Sequence, residues 1–122
     1  MTTSYAAHLV MAVRVADTAG GAIPVYENVV LIDAESDDAA MREACAIGRA
    51  DVAEPDPSFR WDGRPARLEF VGVRKLMTCQ PRGLSHKIES GAELTYAQLS
   101  VRSEADLRKL VEGEPVEVVY EE

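Results

Sequence analysis

Residues from Tyr5 to Val15 alternate with a period of two, and both alternating sets are apolar at their centre. Tyr5, Ala7, Leu9, Met11, Val13 and Val15 fall on one side; Ala6, His8, Val10, Ala12 and Arg14 fall on the other. A strand with one wet face shows apolar residues on one side only. This pattern therefore predicts a strand inside a sheet, covered on both faces.

The next segment supplies one neighbour. The run from Asp17 to Gly21 has turn chemistry and two glycines. It leads into a second strand from Val25 to Ala34, whose centre is the run Val29, Val30, Leu31 and Ile32. So short a link makes an antiparallel hairpin the natural pairing. Pro24 has no amide hydrogen to donate and is expected at the strand's start.

A helix should follow. Ser36 is placed to cap it, and Asp37 and Asp38 suit the positive end of its dipole. Ala40, Met41, Ala44, Cys45 and Ile47 share one side at helical spacing. The run Glu54-Pro55-Asp56-Pro57 ends it, because neither proline suits a helix interior. A loop from Pro57 to Pro65 then opens a third strand from Ala66 to Thr78. Its alternation slips between Phe70 and Val71, with Gly72 at the slip, which predicts a β-bulge or a sharp twist near Val71-Gly72. The polar stretch from Gln80 to Glu89 reads as a long connection, and a fourth strand runs from Glu93 to Val101. Ser103 caps a short second helix carrying Leu107, Leu110 and Val111, and Gly113 and Pro115 stop it. A fifth strand is expected from Val116 to Glu121. The order β-β-α-β-β-α-β describes one α+β domain over residues 1–122, with a mainly antiparallel sheet of about five strands and the longer helix on one face. Its core should draw on Leu9, Met11, Val13, Val29, Leu31, Ala40, Ala44, Ile47, Phe70, Val73, Leu107, Leu110 and Val118.

Several segments resemble a known family when taken together. They are the opening Tyr5-Ala6-Ala7-His8, the segment from Phe59 to Ala66, the run from Phe70 to Leu76, the segment from Gly91 to Tyr96, and the tail from Lys109 to Val116. They are similar to a family of small, single-domain bacterial proteins named only as a domain of unknown function. The resemblance covers nearly the whole chain. It implies a compact bacterial α+β protein with no assigned activity, cofactor or catalytic residue, so no role is carried over to any position.

Charge is distributed unevenly. Seven of the 13 basic residues (Arg60, Arg64, Arg67, Arg74, Lys75, Arg82 and Lys87) lie between residues 60 and 87, against Asp62 and Glu69 alone, a local balance of +5. The remaining six bases and 19 acids leave −13 for the rest. Such asymmetry marks a candidate partner surface. Trp61 sits among these arginines with Phe59 nearby, and arginine beside an aromatic ring binds anions, stacks on bases or anchors a protein interface. The candidate binding residues are therefore Phe59, Arg60, Trp61, Arg64, Arg67, Arg74 and Lys75. Against this stands a bland alternative, in which Trp61 folds back as a lid on the core and its arginines neutralise the chain's own acids.

Other chemistries have weaker support. His8, Cys45, Cys79 and His86 are zinc-ligand types but lack the short spacings of a zinc motif. Cys79 and His86 could form a nucleophile pair only if the fold brought them together. Gly20-Gly21 has neither the lysine nor the following helix of a phosphate loop. A non-catalytic module that meets a protein partner is the first expectation. A nucleic-acid or small-anion binder ranks second, because the acids elsewhere oppose phosphate. A small hydrolase or metal-dependent enzyme ranks third. No cofactor is expected. Two cysteines, no leader pattern and no long apolar run suggest a soluble cytoplasmic protein without a membrane role, either monomeric or a homodimer paired through an edge strand.

Overall fold

The computed structural model describes residues 2–16, 20–79 and 88–121. The chain forms β1 (Thr3–Val15), β2 (Ile23–Ala34), α1 (Asp37–Asp51), β3 (Arg60–Trp61), β4 (Arg64–Thr78), β5 (Glu93–Val101), α2 (Glu104–Glu112) and β6 (Val119–Glu121). The strands build one sheet in the order β3-β4-β1-β2-β5-β6, with every pairing antiparallel. Strand β1 lies inside the sheet between β2 and β4, as its two apolar sides predict.

Each face has its own core, because residues directly opposite each other across a strand pair point the same way. On one face Tyr5, Ala7, Leu9 and Met11 of β1 join Val30 and Ile32 of β2 under Ala40 and Ala44 of α1. On the other, Val10 and Ala12 join Val25, Leu99 and Val101 under Leu107 and Leu110 of α2. The helices reach the sheet through two glycines. A Cβ at Gly48 of α1 would fall 2.4 Å from the ring of Phe70, and one at Gly72 of β4 would fall 2.6 Å from Val111 of α2. Such approaches leave no room for a side chain.

Both helices start as expected. The Ser36 Oγ accepts from the Ala39 amide at 3.1 Å, and the Ser103 Oγ accepts from the Asp106 amide at 3.1 Å. Helix α2 ends at Gly113, which is left-handed at φ 75°. The bulge also appears where the alternation slips: Val10 lies opposite Gly72 and Met11 opposite Phe70, so Val71 is the extra residue. A second bulge leaves Arg74 extra between Val73 and Lys75.

The sheet has one strand more than expected, the two-residue β3. The last strand ends at Glu121 as expected but starts only at Val119, because Val116 and Val118 pack half-buried against the α2-side core instead of joining the ladder. Val29, Ile47, Phe70 and Val73 are half-buried, not fully enclosed. Most of the connection expected from Gln80 to Glu89 lies outside the described residues. Among the described residues, no helix is long and apolar enough to cross a membrane.

Candidate functional site

The fold divides the seven candidate residues into three groups. Arg60, Trp61 and Arg64 belong to the β3–β4 hairpin. Trp61 pairs with Arg64 across a two-residue turn, Asp62-Gly63, whose φ angles are 51° and 75°. Two consecutive positive φ values are the geometry of the tightest hairpin turns, and Asp-Gly is a sequence that favours them. That dipeptide between Trp61 and Arg64 is the signal that could have located β3 in advance.

Trp61 is half-buried. Its ring meets Tyr26 edge-to-face, with centroids 6.1 Å apart and planes at 88°. Tyr26 in turn touches the exposed Tyr96 at 6.3 Å. The indole is thus held down on the α1-side face and is neither a free anchor nor a sealed lid. Arg60 is exposed and donates through Nη1 to the carbonyls of Pro57 and Phe59, at 3.0 and 3.2 Å. Arg64 is exposed and forms no ion pair among the described residues.

Phe59 and Arg67 form the second group, in a groove of about 670 Å³. The groove lies between the loop that follows α1 and the outer edge of β4. Val52, Pro55, Phe59, Leu68 and Phe70 make its apolar surface. Asp51, Glu54 and Asp56 lie along the loop wall, with Arg49 at the helix end and Arg67 on the strand wall. A short turn shapes the loop: Asp56 Oδ1 accepts from the Ser58 amide at 2.9 Å and from its hydroxyl at 2.6 Å. The hydroxyl bond, then the amide bond, hold the Asp56 carboxyl below the usual aspartate range. The Phe59 amide closes the turn on the Asp56 carbonyl at 3.1 Å. Arg67 is 3.5 Å from Glu69, an exposed contact of small energetic weight.

Arg74 and Lys75 are the third group, and they lie far along β4 from the hairpin. Arg74 is committed to an internal carboxylate. Its Nε and Nη2 donate to the two oxygens of Glu27, at 2.6 and 2.8 Å. Glu27 is the one buried charged residue among the described residues. His8 Nδ1 lies 2.8 Å from the same carboxylate. Burial opposes ionisation of Glu27 and is the largest single influence on it. The hydrogen bonds from Arg74 and His8, with their Coulomb attraction, together outweigh burial and hold its pKa below the ordinary glutamate value. A carboxylate so engaged serves packing; both of its oxygens are occupied.

The family model described as a domain of unknown function, DUF4288, matches residues 4–96. The chain belongs to the DUF4288 family. The DUF4288 match runs from β1 into β5 and takes in the groove, the hairpin and the His8–Glu27–Arg74 cluster; α2 and β6 lie beyond it. No curated protein and no solved structure matches the chain.

The sites considered for catalysis do not come together among the described residues. No group of three His, Cys, Asp or Glu side chains converges there as metal ligands. Cys45 and Cys79 are half-buried free thiols. His8 is spent on Glu27, and His86 lies outside the described residues. Sequence reasoning missed the loop wall of the groove, since Glu54-Pro55-Asp56-Pro57 read only as the break that ends α1.

Proposed function

We propose that this chain is a non-catalytic binding module that meets a protein partner at the corner formed by the groove and the β3–β4 hairpin. The observation that carries this reading is the groove itself. Apolar side chains from two separate elements, Val52 and Phe59 on one side and Leu68 and Phe70 on the other, line an open cleft. Leu68 is 37 % exposed there. Rims of mixed charge around an apolar centre are the usual anatomy of a partner site. Arg49 and Arg67 supply the basic part of that rim.

The nucleic-acid reading has less support. Of the basic cluster, Arg74 is neutralised by Glu27, and the groove wall is acidic. The test is photocrosslinking in the native host. A photoreactive phenylalanine analogue would replace Leu68 in one strain and Met41, exposed on α1, in another. A discrete protein adduct from position 68 that is missing at position 41 supports the proposal. Equal adducts at both positions, or none at either, contradict it.

A further inference from the structure

The partner site has an open backbone edge, and this gives the mode of binding. The outer edge of β4 pairs with β3 only at Arg64 and Pro65, and the Ala66 amide then donates to the Phe59 carbonyl at 3.2 Å. Beyond that bond the chain turns away through Asp56. Among the described residues no strand follows along residues 67–78 of that edge. Bulges twist an edge and discourage pairing. The bulges at Val71 and Arg74 therefore leave two regular four-residue stretches, each about 13 Å long at the rise of a strand: residues 75–78 and, beside the hairpin, residues 67–70. The groove lies along the latter.

Resting on the binding reading above, we infer that the partner contributes an extended segment that adds to β4 as a short strand, continuing the line that β3 leaves. Main-chain hydrogen bonds to residues 67–70 hold the segment, and one apolar side chain enters the groove among Val52, Phe59, Leu68 and Phe70. The groove also selects charge. The carboxyl end of α1 lies at the groove with Arg49 and Asp51, Glu54 and Asp56 follow on the same wall, and Arg67 and Glu69 face them, so the lining carries four acids against two bases. A helix C-terminus carries partial negative charge, so this end favours a cation. The segment accordingly carries a lysine or arginine close to its apolar residue.

The test uses a library of displayed ten-residue peptides, selected on the folded chain and counter-selected on Leu68→Glu. The variant's melting temperature is checked first; should it not fold, Leu68→Ser replaces it. Enriched peptides should share an apolar residue with a neighbouring Lys or Arg. Their affinity should fall at least tenfold when backbone amides at alternate positions are N-methylated. Peptides that need Leu68 but tolerate N-methylation at every position would overturn strand addition and leave the binding corner standing. An acidic consensus would overturn the charge preference. A library that yields nothing specific for the wild-type chain would overturn both the inference and the reading beneath it. So would sedimentation showing a dimer of the chain that Leu68→Glu dissociates, which would assign the edge to a second copy.

Discussion

Arg74 holds Glu27 through two parallel hydrogen bonds, at 2.6 and 2.8 Å, on the α2-side face of the sheet. The second bulge of β4 makes this contact, since Arg74 is the extra residue there. Removing one partner of such a pair strands a buried charge, whereas removing both leaves none. Arg74→Ala is expected to cost about 3 kcal/mol, a fall in Tm of roughly 10 °C. Replacing both residues by Met should recover most of that loss. Thermal melts of the single and double variants check this; a double variant as unstable as Arg74→Ala would contradict it.

The same pair makes stability depend on pH in a definite direction. The pKa of Glu27 is lower in the folded chain than unfolded. The unfolded chain therefore takes up its proton first as pH falls. Stability from this group is complete above the unfolded value, near 4.3, and is lost as pH drops through the lower folded value. Urea unfolding from pH 6 to pH 3 should show a steeper decline for the wild type than for Glu27→Gln. Parallel slopes would show that Glu27 is not a source of acid sensitivity.

Gly48 should resist even a methyl group. Alanine ordinarily improves a helix interior by about 1 kcal/mol over glycine. Here its Cβ would meet the Phe70 ring at 2.4 Å, and overpacking of this kind costs roughly 1–3 kcal/mol. Gly48→Ala is expected to be neutral to destabilising in the wild type and stabilising in a Phe70→Leu background. Denaturant titration of the four proteins in the cycle measures that change of sign.

Much of the fold was legible because it rests on local signals. The two apolar sides of β1 placed it inside the sheet, Ser36 and Ser103 marked both helix starts, and the slip at Val71 marked a bulge. The second bulge was hidden, because Arg74-Lys75 offers no apolar alternation to slip. The pairing of Arg74 with Glu27 spans 47 residues, so sequence counted Arg74 among the partner-facing bases when the fold spends it internally. Within the candidate site, Phe59 and Arg67 do line one groove. Their opposite wall comes from the end of α1, and only the tertiary fold brings Asp51 and Glu54 there.

Trp61 reports on the hairpin, as it is the chain's sole tryptophan. An edge-to-face pair adds about 0.5–1.5 kcal/mol to area burial. Half-buried against Tyr26, Trp61 should cost about 2 kcal/mol on truncation to Ala, less than the roughly 3–5 kcal/mol of a core aromatic. Tyr26→Leu should shift its fluorescence to longer wavelength while the fold persists by circular dichroism. An unchanged emission spectrum would mean that the indole does not rest on Tyr26.

The claim that the groove beside β4 is where this chain meets its partner has one decisive measurement. The protein captured by crosslinking from position 68 would be purified and titrated calorimetrically against the wild type and Leu68→Glu, both confirmed folded. The account predicts at least a tenfold weaker affinity for the variant. Equal affinities would place the partner elsewhere on the molecule and contradict it.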